Sequence, residues 1–177
     1  MVVAAGLLAA PAGAAAFSLD FRAQGQVAVL AGMSLPGPGF GSVEVQINGS
    51  IWSIGAALGV AYQRYPSPDG DMLDGGVFHA AFQWRFVALI SEEVYLWFDP
   101  HLDLGMELGG ARGASGSWFK GEGYGGLSLD FAVFPPPDGD PHVVLTVQYR
   151  WTPPGVHAPD SAPDHLMLFG LGYRGAG

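Results

Sequence analysis

The 177-residue chain carries sixteen acidic against seven basic side chains, a formal net charge of −9, and no cysteine. That balance offers no basic face to nucleic acid and excludes both disulfides and a lipid-modified N-terminal cysteine. Only 13% of the residues are charged and 49% are apolar, too little charge to coat a water-facing surface.

Mean hydropathy is +0.27, yet no run of about twenty apolar residues exists to cross a bilayer as a helix. A chain that is apolar overall but never continuously so is what alternating, half-apolar strands produce. Its length allows one domain, and its 28 glycines suit tight turns and crowded interior positions.

Residues 2–10 form a short apolar run, and Ala14-Ala15-Ala16 supplies small residues for cleavage. Residues 1–16 therefore read as a secretory signal peptide, incomplete because no positive n-region precedes it. Residues 17–177 are left as a single domain. Strand one, about 17–33, puts Phe17, Leu19, Phe21, Ala23, Gly25, Val27 and Val29 on one face, with Ser18, Asp20, Arg22, Gln24 and Gln26 on the other. Pro36-Gly37-Pro38-Gly39 breaks the chain. Strand two, about 42–47, has Val43, Val45 and Ile47 outside and Glu44 and Gln46 inside. Asn48-Gly49 is a strong hairpin signal, and a two-residue turn there sets Val45 opposite Trp52 and Val43 opposite Ile54. Strand three, about 50–65, duly switches parity, with Trp52, Ile54, Leu58, Val60 and Tyr62 apolar.

A polar loop is expected over 66–76, then strand four at about 77–90 with Phe78, Phe82, Trp84 and Phe86 opposed to His79, Gln83 and Arg85. A turn at Ser91-Glu92-Glu93 leads to strand five, about 94–108, and sets Arg85 against Asp99 and Phe86 against Phe98. Pro100 falls in this strand, where it cannot donate to a ladder, so a bulge or a shortened strand is expected. After a loop at 109–117, strand six, about 118–133, has Leu127, Leu129, Phe131 and Val133 outside, with Lys120, Glu122, Tyr124, Ser128 and Asp130 inside. Strand seven, about 142–152, alternates Val143, Leu145, Val147, Tyr149 and Trp151 with His142, Thr146, Gln148 and Arg150. Strand eight, about 165–174, is apolar on both parities, and Met167, Phe169, Leu171 and Tyr173 are assigned outward because the other side holds two glycines. Aromatics near strand ends (Tyr62, Phe78, Trp118, Tyr149 and Trp151 at one end, Phe17, Trp52, Phe131 and Tyr173 at the other) suit interfacial girdles.

Eight strands with short turns at one end and longer loops at the other define an all-β, eight-stranded antiparallel up-and-down transmembrane β-barrel. In strand count, parity, turn asymmetry and the alternating ending Phe169, Leu171, Tyr173, residues 17–174 resemble the small outer-membrane barrels of Gram-negative bacteria, the outer-membrane-protein-A-like β-barrel domain class. The resemblance implies a porin-like membrane protein in the bacterial outer membrane, monomeric, in contact with outer-membrane lipid and lipopolysaccharide, and inserted by the barrel-assembly machinery. The soluble alternative is a lipocalin-like barrel with the same pattern inverted around a lipophilic ligand.

The lumen of such a barrel is expected to hold Asp20, Arg22, Glu44, Arg85, Asp99, Asp103, Glu107, Lys120, Glu122, Asp130 and Arg150 as an ion-pair network, because isolated buried charges are costly. Arg85 with Asp99 is the leading pair. His101 and Asp103, two apart on one face with His79 on the next strand, have the makings of an acid–base or metal fragment, but hydrogen-bonded lumen histidines are the plainer assignment. Membrane lipid A deacylases, which resemble this class of barrel, use a His and a Ser two apart; Asp103 stands where the Ser is needed. Arg64, between Tyr62 and Tyr65, is a candidate lipopolysaccharide contact or a snorkelling interfacial arginine. Asp69, Asp71 and Asp74 lack the spacing of a calcium loop, and no cofactor, zinc or phosphate-loop motif occurs. These readings point to a non-catalytic envelope protein with a closed, ion-paired lumen, with a narrow channel for small or hydrophobic solutes as the alternative and a lipid A-modifying enzyme last.

Overall fold

A computed structural model describes residues 17–20, 24–34, 41–51, 53–66, 70–86, 88–91, 96–114, 116–133, 142–153 and 165–176. Their strands are β1 (Phe17–Asp20), β2 (Gln24–Ser34), β3 (Gly41–Ile51), β4 (Ile54–Pro66), β5 (Met72–Arg85), β6 (Ala88–Ser91), β7 (Leu96–Gly113), β8 (Gly116–Val133), β9 (His142–Trp151) and β10 (His165–Ala176). Each long strand pairs antiparallel with the next in sequence, β6 continues β5, and β7 pairs with β8 to complete a ring. The ring joins its ends where β10 meets β2, with Tyr173 opposite Val27 and Phe169 opposite Ala31. The result is a closed eight-stranded antiparallel up-and-down barrel. Closure leaves no unpaired sheet edge among these eight strands.

Alternation decides what faces where. Along β3, Val43, Val45 and Ile47 point outward and Ser42, Glu44, Gln46 and Asn48 are buried inside. In β10, Phe169, Leu171 and Tyr173 are exposed while Leu166 and Leu168 are buried, so that strand has the facing its two glycines suggest. The exterior is a belt of Val, Ile, Leu and aromatic side chains. From Ile54 to Arg64 the belt rises about 25 Å, at about 3.3 Å a residue and a tilt of about 40°, which matches the apolar band of an outer-membrane barrel. The polar residues are inside, which rules out the lipocalin-like alternative.

Several local expectations change. Asn48-Gly49 does not turn: β3 runs on to Ile51, and Val45 faces Val60 rather than Trp52. A turn at 48–49 would leave a strand too short to span, since a membrane strand needs about nine to eleven residues, and β3 has 11. Odd still faces even, so every side chain keeps its side of the sheet. The loops expected at 66–76 and 109–117 shrink because β5 starts at Met72 and β7 and β8 continue through glycines to Gly113 and Gly116. Strand one is divided into β1 and β2, and β1 pairs with β6 rather than with β3, because both extend past the end of the β3–β4 hairpin.

Pro100 leaves β7 whole and interrupts its neighbour. Arg85 pairs with His101 and Leu89 with Phe98, so one extra residue is accommodated on the β5–β6 side, a bulge. The Phe86 amide donates to the Pro100 carbonyl at 3.1 Å, so the N–H that proline lacks is missing on the bulged side, while Pro100 stays in register with Leu129 of β8.

Because Leu58 projects from the middle of the belt, Leu58→Arg is expected to cost about 2–4 kcal/mol in urea unfolding from lipid vesicles. An inward position that already carries charge should show no such depth dependence.

Candidate functional site

The barrel interior is the chemically distinctive region. Among the described residues, six carboxylates (Glu44, Asp99, Asp103, Glu107, Glu122, Asp130), three arginines (Arg85, Arg150, Arg174) and two histidines (His79, His101) are buried there. The inward face of β9, running Arg150, Gln148, Thr146, Val144, forms a spine along which three layers are linked.

Ala28, Leu30, Leu73, Ala111, Leu166 and Leu168 pack into an apolar cluster that reaches from the loop end down beside the polar residues, with Leu30 opposite Glu44 and Leu166 opposite Arg150. Against it, the Arg150 guanidinium forks onto Glu44, with Nη2 to Oε1 at 2.7 Å and Nη1 to Oε2 at 2.9 Å, and Nη1 also donates to Glu107 Oε1 at 3.0 Å. Such charge-assisted forks are geometrically specific. His79 Nδ1 lies 2.9 Å from Glu44 Oε1, and the Arg150 Cζ stands 5.0 Å from the Tyr124 ring centroid, a cation–π contact. Glycine makes room for these rings: a Cβ at Gly59 would overlap the His79 imidazole, and one at Gly105 would overlap the Tyr124 ring.

Gln148 joins this layer to the next, accepting from Arg150 Nη2 at 2.9 Å and donating to Asp103 Oδ2 at 3.0 Å. Asp103 also accepts from Gln83 Nε2 at 3.0 Å and from the Ser128 hydroxyl. Three neutral donors thus hold a carboxylate that, among the described residues, has no guanidinium in hydrogen-bonding contact.

Toward the chain termini, Arg85 bonds Asp99 through Nε at 3.0 Å and through Nη2, and reaches Ser50 Oγ at 3.0 Å. Arg174 crosses to Asp130 at 3.0 Å, Asp99 at 3.3 Å and Gln26 at 2.8 Å. Thr146 donates to Asp130 Oδ1 at 2.6 Å and accepts from Gln26 at 3.1 Å. His101 Nε2 sits 3.4 Å from Asp130 and 3.7 Å from Asp99. Some ties join adjacent strands, as with Arg85 and Asp99 or Thr146 and Asp130, and others cross the lumen between strands that are not ladder neighbours, as with Arg150 of β9 and Glu44 of β3 or Arg174 of β10 and Asp130 of β8.

Of the residues expected in the lumen, Glu44, Arg85, Asp99, Asp103, Glu107, Glu122, Asp130 and Arg150 are buried inside. Arg85 and Asp99 meet as a diagonal pair, since the residue opposite Arg85 is His101. Arg22 and the side chains of Asp20 and Lys120 lie outside the described residues, as do residues 1–16 and the side chains of Phe17, Trp52 and Trp118. His79 and His101 belong to separate layers, each beside its own carboxylates, so the supposed His79, His101, Asp103 fragment is not assembled. Arg64 is on the exterior, 3.5 Å from Asp74. Arg174 was not anticipated, although carrying the parity of Tyr173 one residue further places it inside; its link to Asp99 and Asp130 depends on which strands closure brings across the lumen.

No family model and no curated protein matches the chain. Solved structures do. Neisserial surface protein A is 11% identical with a TM-score of 0.55, covering 91% of this chain and 97% of its own. The N-terminal β-barrel domain of Pseudomonas aeruginosa OprF is 7% identical with a TM-score of 0.51, covering 89% and 99%. The shared property is the fold, that of a small outer-membrane-type β-barrel.

Arg150→Met leaves the buried Glu44 and Glu107 carboxylates without their guanidinium and is expected to cost about 3–5 kcal/mol in denaturant unfolding. Gly105→Val, which drives Tyr124 out of place, should cost about 1–3 kcal/mol by the same measurement.

Proposed function

We propose that this chain is an integral β-barrel of a bacterial outer membrane, closed to solutes, that serves a structural envelope role without catalysis. The observation that carries this reading is the interlocked lumen. The two guanidinium-centred layers and the Asp103 layer are bonded across the barrel, and an apolar cluster fills the space beside them. A cavity bounded by Asn48, Ser50, Gln83, His101 and Arg174 measures about 10 Å³, room for about one water. An eight-stranded barrel is just wide enough to be filled by its own side chains, and polar groups bonded in this way stiffen the wall rather than bind a substrate. The apolar belt and the similarity in fold to outer-membrane barrels support the location.

A narrow channel is the competing reading, favoured by the excess of buried carboxylates over arginines, which would select cations if water passed. Planar-bilayer recording separates the two. The intact protein is expected to be silent at either polarity, and cation-selective steps from it would refute the closed lumen. Lipid A of unchanged mass after overexpression is expected on the same reading, and a new acylation state would defeat the non-catalytic assignment.

A further inference from the structure

Of the seven basic side chains, Arg85, Arg150 and Arg174 are sealed in the lumen, whereas Arg64 and Arg112 stand on the exterior at the loop end. Strand register brings them into one row, with Arg64 opposite Asp74, Asp74 opposite Arg112 and Arg112 opposite Ser117. Asp74 is engaged by Arg64 and by the Tyr62 hydroxyl. Arg112 makes no ion pair among the described residues. The row therefore carries two guanidinium groups against one carboxylate.

The next row toward the barrel middle reads Tyr62, Gly76, Gly110, Phe119. Tyr62 is exposed beside two adjacent glycines, and the wall is hollowed there into an open groove of about 500 Å³ lined by Tyr62, Asp74, Gly76, Gly110, Arg112 and Ser117. Packing does not require glycine at position 76, because a Cβ there would meet nothing within 4 Å. A glycine in a strand interior gives up side-chain packing, so at Gly76 the empty space is itself the feature. Below the groove the wall is apolar again, through Val60, Phe78 and Leu108.

We propose that this groove seats one phosphate-bearing lipid of the surrounding leaflet. An acyl chain lies over Gly76 and Gly110 beside the Tyr62 ring, and the phosphate meets Arg112 and, next to it in the charged row, Arg64. Guanidinium groups match phosphate oxygens in a two-pronged geometry, and the slot leads from the charged row down into the apolar belt, a shape that suits a lipid and is wasted on a free anion. The proposal rests on the membrane reading above and extends the Arg64 contact to a second arginine and a built slot.

Lipid A and its dephosphorylated form, offered to the protein in mixed detergent micelles, provide the test, with retained lipid counted by native mass spectrometry. Lipid A is expected to be held about tenfold more tightly than the dephosphorylated form, and Arg112→Ala should erase about that factor. Gly76→Phe, which fills the slot where there is room for it, should release lipid A while keeping heat-modifiable gel mobility, the sign of an intact barrel. Equal retention of the two lipids, retention unchanged in Gly76→Phe, or displacement by millimolar inorganic phosphate would each overturn the site. Absence of heat-modifiable mobility in the unaltered protein overturns the membrane reading instead, so the two failures are distinct.

Discussion

A sheet whose outer face is apolar and whose inner face is ionised can satisfy its backbone only by closing on itself. In hydrocarbon no water is available to an edge strand, and each orphaned N–H or C=O there costs several kcal/mol. The β10–β2 ladder, with Leu166 opposite Ser34 at one end and Ala176 opposite Gln24 at the other, removes both edges at once. Everything else follows from that seam. It sets the circumference, makes the lumen narrow enough to be filled, and brings β9 and β10 across from β3 and β7, so that Arg150 reaches Glu44 and Arg174 reaches Asp99.

The interior answers a second constraint, the cost of charge away from water. Glu44, Asp99, Asp103, Glu107 and Asp130 are held by guanidinium groups, by amides and hydroxyls, or beside imidazoles, and the network is continuous because Gln148 and Thr146 lie on one strand face between the arginine layers. Pairings of this kind specify register as much as they stabilise. Sliding β9 by one residue would turn Arg150 outward into the belt and leave Glu44 with His79 alone. The buried leucines work differently. They exclude water without directional bonds, and they stand beside the polar residues, with Leu30 opposite Glu44 and Leu168 opposite Gln148.

Much of this was legible in the residues. Period-two alternation identified the strands, their facing and the lumen set, because facing depends only on parity and survives any even shift of register. That is why the misplaced turn at Asn48-Gly49 left Glu44 inside and Val45 outside. What alternation does not contain is the length of each hairpin. Asn-Gly favours a turn locally, but the height of the barrel outweighs that preference and carries β3 to Ile51. Pro100 shows the same limit: its lack of an N–H was evident, yet the bulge fell on the neighbouring strand between Arg85 and Leu89, a matter of which side of β7 the missing donor faces.

The order of apolar and polar residues along the chain by itself determined a half-apolar β protein with its charges on one face. It could not decide whether that face pointed in or out, since a barrel and its inverted counterpart share one pattern. Only closure decided it, by curving the sheet toward the ionised side and placing Leu58, Leu104, Phe78, Phe82 and their like on the convex surface. Only closure, too, set partners across the lumen and rows across the wall. Arg174 finds Asp130, and Arg112 falls in line with Arg64, because register around a ring relates residues that are far apart in sequence.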